Sequence, residues 1–152
     1  MIDAKLVSST VEETKKLGRE FSQKLSAGVL VAISGPLGSG KTVLIQGICE
    51  GLGVKQLVTS PSFIIINEYP AEKFRVYHFD LYRLKSVQEL INLGYEEYFY
   101  GNGICLVEWA EKARELLPDD RIEIHLKILS ENQREITIQE WLRHPAGKRK
   151  PK

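Results

Sequence analysis

Gly35-Pro36-Leu37-Gly38-Ser39-Gly40-Lys41-Thr42 follows the pattern of a glycine, four residues, then Gly-Lys-Thr. That is the spacing of a phosphate-binding loop. Its flanks suit it. Val29-Leu30-Val31-Ala32-Ile33-Ser34 is a short apolar run with β-branched residues, which predicts a buried strand. Thr42 to Leu52 reads as a helix. Between such elements the glycines let several N–H groups converge on one oxyanion cluster. The helix start adds its unpaired N–H groups and the positive end of its dipole. Lys41 is expected to reach the β- and γ-phosphates, and the Thr42 hydroxyl to meet Mg²⁺. Gly35, Pro36, Leu37, Gly38, Ser39, Gly40 and Val43 complete the expected nucleotide cradle. A glycine-rich turn that binds nothing is the alternative. A chain of this length matches the bare pattern by chance about one time in a hundred, and correct flanking elements make that rarer.

Working outward, Thr10-Val11-Glu12-Glu13 is a capping box that opens a helix with Val11, Leu17, Phe21 and Leu25 on one face. The helix after the phosphate loop stops near Gly51-Leu52-Gly53, and Val58 to Ser62 is a loop. Phe63–Tyr69 and Arg75–Tyr82 read as strands joined by a turn at Pro70-Ala71-Glu72-Lys73. Ser86-Val87-Gln88-Glu89 resembles a second capping box, before a short helix ending at Gly94. Ile104 to Val107 is a compact buried strand ending at Glu108, followed by a helix from Ala110 to Leu117. Arg121–Leu129 and Arg134–Trp141 alternate as strands with one buried face and form a closing hairpin. These elements predict an α/β fold of the P-loop NTPase class. Its mixed β-sheet is flanked by helices, with antiparallel hairpins after the P-loop helix and at the C-terminus. Residues 1–142 are read as one ATPase domain, and residues 143–152 as a basic, mobile tail.

Composition narrows the function. The chain has 152 residues, 43% of them hydrophobic, and a net charge of +1. It can build a core, and it carries no strong field that would draw it to nucleic acid. Cys49 and Cys105 read as buried reduced thiols, and the histidines form no ligand set. No signal peptide and no apolar run near 18 residues is present, which predicts a cytoplasmic location without membrane contact.

A phosphate loop also needs a carboxylate at a nearby strand end to hold Mg²⁺. Asp80 closes the half-apolar run Val76-Tyr77-His78-Phe79-Asp80, and Glu108 closes the more apolar Ile104–Val107. Either or both are candidates for the metal. Thr59-Ser60 lies on the loop that can carry a γ-phosphate-sensing hydroxyl. Trp109 directly follows Glu108, where a tryptophan is either core packing or a contact residue.

Gly35–Thr42, Thr59-Ser60-Pro61-Ser62-Phe63, His78-Phe79-Asp80-Leu81-Tyr82-Arg83-Leu84 and Val107-Glu108-Trp109-Ala110-Glu111-Lys112 occur in this order. In their spacing the chain resembles the TsaE (YjeE) family of small bacterial ATPases, over roughly residues 8 to 142. The resemblance implies an ATPase that binds ATP/ADP and Mg²⁺. It implies action with TsaD and TsaB in forming threonylcarbamoyladenosine in tRNA, with tRNA contact only indirect or through the complex. Threonylcarbamoyl transfer itself is attributed to TsaD. On the same ground Lys41, Asp80 and Glu108 are the catalytic candidates. Thr42, Asp80 and Glu108 are the metal candidates, and Thr59 and Trp109 join the nucleotide site. Val43 and Ser62 stand where the family usually has threonine.

Two other enzyme classes fit less well. A small-molecule kinase usually needs an arginine-bearing lid, and only Arg75 and Arg83 lie between Lys41 and Glu108. Asn132-Gln133-Arg134-Glu135 echoes a guanine-reading loop only loosely.

Overall fold

The computed structural model describes residues 3–59 and 66–141. Strands β1 (Asp3–Ser8), β2 (Leu30–Ser34), β3 (Ile66–Pro70), β4 (Arg75–Asp80), β5 (Ile104–Glu108), β6 (Arg121–Ile128) and β7 (Arg134–Trp141) form one sheet. Helices α1 (Val11–Ser22), α2 (Lys41–Gly51), α3 (Gln88–Leu93) and α4 (Tyr95–Phe99) cover it, with a 3-10 segment at Ala110–Leu116. The strand order is β1-β7-β6-β2-β5-β4-β3. The central β6, β2, β5 and β4 run parallel; β7 and β3 pair with them as antiparallel hairpin strands, and β1 pairs antiparallel with β7. This is the mixed sheet expected for a P-loop NTPase, with both predicted hairpins present.

Each face of the sheet carries its own core. Val31, Ile33, Val76, Ile104, Leu106, Ile122, Ile124 and Leu126 face α1 and α2. Leu30, Ala32, Phe79, Cys105 and Val107 face α3, α4 and the 3-10 segment. The central strands are therefore buried on both sides, which is why they read as nearly continuous apolar runs. Helices α1 and α2 pack backbone against backbone through glycines. A Cβ on Gly18 would lie 2.6 Å from Leu44 O and 2.9 Å from Ile48 N, and one on Gly47 would collide with Lys15 O. This contact fixes α2, and with it the phosphate loop, against the sheet.

The first capping box is real: Thr10 Oγ1 accepts from Glu13 N at 3.0 Å. Glu13 reaches back to Ser9 N, one residue earlier than the usual partner, at 3.2 Å. Val11, expected on the apolar face, is exposed, while Phe21 and Leu25 are buried as expected. The second capping box does not form. Helix α3 starts at Gln88 with no side-chain cap, and Ser86 offers only its carbonyl to Glu89 N. Strand β4 ends two residues early because Asp80 Oδ1 accepts from Tyr82 N at 3.0 Å, turning the chain at once. The segment after Ala110 is 3-10 rather than α, with a break at Ala113 (φ −134°, ψ 34°). The early part of the predicted strand at Phe63–Tyr69 and the basic tail lie outside the described residues. So does Ser60.

Both cysteines are buried free thiols. Burial pushes the Cys49 thiol up to about 12, which keeps it protonated and inert. Among the described residues, no helix is long and apolar enough to cross a membrane.

Candidate functional site

The parallel register lines up three strand ends. Ile33, next to the end of β2, pairs with Glu108 at the end of β5, and Glu108 pairs with Asp80 at the end of β4. The phosphate loop rises from β2 beside these carboxylates. Ligands of α/β sheets bind at such carboxyl-end edges. A cleft of about 350 Å³ opens there, lined by Lys41, Thr42, Asp80, Glu108 and Trp109 together with Leu37, Gly38, Gly40, Val43 and Tyr82.

The loop owes its shape to positive backbone angles. Gly40 sits at φ 97° as the residue before α2, a conformation that disfavours any side chain. No side chain caps α2 there. A helix leaves its first-turn N–H groups without intrahelical acceptors, so this end suits an anion. Gly35 is also tightly confined, since a Cβ would lie 2.7 Å from Leu126 O.

Lys41 is 5% exposed. Its Nζ donates to Gly35 O at 2.7 Å and Pro36 O at 2.9 Å, and stands 4.0 Å from the centre of the Trp109 ring. Burial lowers its pKa, and Glu108, Glu111 and Asp80 oppose that shift. An anion entering the cleft would compete with two neutral carbonyls for this ammonium. A charge-assisted bond is about twice as strong as a neutral one.

Glu108 is 2% exposed. Thr42 Oγ1 donates to its Oε1 at 2.9 Å, and His78 Nε2 lies 2.6 Å from its Oε2. Asp80 is half-buried, and burial raises its pKa against the bond from Tyr82 N. The oxygens of Thr42, Asp80 and Glu108 line the same cleft and suit a hard cation such as Mg²⁺, which keeps water and phosphate among its ligands. Among the described residues, no three of His, Cys, Asp and Glu converge as a metal cage.

Trp109 adopts φ 57°, ψ 40°, and it is the one described non-glycine residue with positive φ. The turn swings its ring over Lys41. The ring also packs against Tyr82, with 5.0 Å between centroids. Lys112 Nζ bonds the Tyr82 carbonyl and steadies that wall. Trp109 is therefore a cleft wall rather than a core residue. A backbone strained at a functional site costs about 1–3 kcal/mol and persists only where the surroundings enforce it.

Most of the residues singled out from the sequence meet here. Thr59 does not line the cleft; it is exposed, and its carbonyl faces Asn67 Nδ2 at 3.4 Å. Arg83 sits on the exposed turn beyond β4 and does not line the cleft. Two residues were missed. His78 looked like one of three scattered histidines, yet it is wholly buried against Glu108. Its place two residues before Asp80, on the same face of β4, was the available signal. Arg134 on the closing hairpin bonds Gly38 O at 3.2 Å and three carbonyls of its own turn, bracing the phosphate loop from outside the cleft. Sequence alone gave no hint that this hairpin reaches the loop.

Comparison with known proteins agrees with the geometry. The family model described as "Threonylcarbamoyl adenosine biosynthesis protein TsaE" matches residues 8–136. The Bacillus subtilis "tRNA threonylcarbamoyladenosine biosynthesis protein TsaE" is 42% identical over 127 residues, 84% of this chain and 79% of its own length. Its namesake from Treponema pallidum is 35% identical over 132 residues, 87% of this chain and 97% of its own. The crystal structure of Bacillus subtilis YdiB superposes with a TM-score of 0.79 at 35% identity, covering 93% of this chain and 87% of that one. The chain belongs to the TsaE family of tRNA threonylcarbamoyladenosine biosynthesis proteins, on a P-loop NTPase fold.

Proposed function

We propose that this chain is a Mg²⁺-dependent ATP-binding and ATP-hydrolysing subunit that works with TsaD and TsaB in tRNA threonylcarbamoyladenosine formation. The transfer step belongs to TsaD, and this chain energises or resets the complex from the cytoplasm. The observation that carries the reading is one cleft where a complete phosphate loop, Lys41, Thr42, Asp80 and Glu108 converge.

In this reading the α2 N-terminus and Lys41 hold the β- and γ-phosphates, with Gly35, Pro36, Leu37, Gly38, Ser39, Gly40 and Val43 shaping the cradle. Thr42, Asp80 and Glu108 hold Mg²⁺, directly or through water. Bound Mg²⁺ neutralises charge on the phosphate oxygens. Glu108, which accepts from the Thr42 hydroxyl at the closed end of the cleft, orients the attacking water. Trp109 forms the wall beside Lys41. Thr59 contributes through its loop rather than as part of the cleft wall.

Lys41→Ala tests the reading. Loss of one charge-assisted phosphate contact is expected to weaken ATP binding by about 1.5–3 kcal/mol, read by calorimetry with Mg²⁺ present. Unchanged affinity would remove Lys41 from the site. Competition between ATP and GTP in the same assay separates an ATPase from a guanine-nucleotide switch.

A further inference from the structure

His78 occupies an odd place for a histidine. It is fully buried on the α2 side of β4, two positions after the core residue Val76. A polar ring there costs free energy unless it is hydrogen-bonded, and leucine would fill the position without that cost. The Nε2 atom contacts Glu108 Oε2 at 2.6 Å, while Nδ1 has no partner among the described residues. The ring is therefore oriented by one bond, to Glu108. Across the carboxylate, Oε1 accepts the Thr42 proton at 2.9 Å. A hydroxyl has one proton and two lone pairs. The Thr42 proton points to Glu108, so the direction of the hydroxyl follows the carboxylate.

We propose that His78 is a positioning residue: its Nε2–H fixes the Glu108 carboxylate, which in turn aims the Thr42 hydroxyl. This rests on the reading of Thr42 as a Mg²⁺ ligand. A histidine that merely fills the core would leave metal binding untouched. Partners standing behind metal ligands typically contribute 10–100-fold in metal affinity or activity, and the chain His78–Glu108–Thr42 has that form.

The test uses the full chain and three measurements. In ¹⁵N spectra of the parent protein, the His78 Nε2 signal should show an attached proton; a bare Nε2 would overturn the proposal. His78→Leu should weaken Mg²⁺ binding to the ATP complex about 10–100-fold while changing ATP binding in EDTA less than about threefold. His78→Gln can again donate to Glu108 and should recover most of the loss. Parent-like Mg²⁺ affinity in a folded His78→Leu overturns the proposal, as does a loss that glutamine leaves uncorrected. If His78→Leu does not fold, the spectra and the glutamine variant decide. The Mg²⁺ titration and the spectra do not need turnover, so an inactive parent would count against the proposed ATPase and not against His78.

Discussion

ATP turnover by the isolated chain should be slow, and addition of TsaD and TsaB should raise it by about 10³–10⁵-fold. The expectation follows from the charges in the cleft. Phosphoryl transfer is driven by positioning and by cations on the developing charge, and a missing arginine finger costs that much in rate. Among the described residues lining the cleft, Lys41 is the only lysine or arginine. Arg134 approaches the phosphate loop, but its guanidinium is spent on Gly38 O and on carbonyls of its own hairpin. The rim beside the cleft is accessible: Leu37 is 70% exposed and Tyr82 is 44% exposed. A partner that covers this rim can bring a cation next to Trp109 and exclude water. The Trp109→Ala variant separates two roles. It should bind ATP but lose most of the stimulation, because the wall next to Lys41 is gone. Fast turnover by the isolated chain, unaffected by partners, would contradict the account.

Glu108→Gln should bind ATP within a few-fold of the parent and lose turnover by about 10²–10⁴-fold, the range for a positioned acid–base group. The amide keeps the size and can still accept from Thr42. It loses charge and basicity, and it also meets His78. Glu108 Oε2 lies 2.6 Å from His78 Nε2. An amide nitrogen at that place cannot accept from His78 Nε2–H as the carboxylate does, so the buried ring loses its one partner among the described residues. An unsatisfied buried donor costs about 1–3 kcal/mol, so the variant should also melt earlier than the parent in a thermal scan. Parent-rate hydrolysis by a folded Glu108→Gln would remove the role assigned to Glu108.

The parts of this fold legible in the sequence are those with a local cause. The loop's glycines, the alternation of Ile122, Ile124, Leu126 and Ile128, and the Thr10 cap are each decided within a few residues, and all appear as expected except Ile128, which is exposed near the end of β6. Strand β1 was missed because only Ala4, Leu6 and Ser8 alternate inward, and its pairing with β7 joins opposite ends of the chain. Helix α4 was missed because Gly94 looks like a final stop. It is instead a left-handed hinge (φ 81°) between two short helices, held by Tyr95 and Phe99 packing 5.3 Å apart. The expected helix after Ala110 gave way to 3-10 geometry because wholly buried Ala113 leaves the helical region.

The same division runs through the site. Asp80 and Glu108 announced themselves as carboxylates at strand ends, and register then set them side by side. The contact between His78 and Glu108 spans 30 residues, and that between Arg134 and Gly38 spans 96. Both contacts depend on which strands become neighbours; only His78 carried a local sign, its place two residues before Asp80 on one face of β4.

The most direct test of the central claim is tRNA modification reconstituted from TsaD, TsaB and a threonylcarbamoyl donor, with the parent chain, with Glu108→Gln, and with no added chain. Sustained threonylcarbamoyladenosine formation is expected only with the parent chain and hydrolysable ATP. Equal formation in all three reactions, or full activity from Glu108→Gln, would contradict that claim.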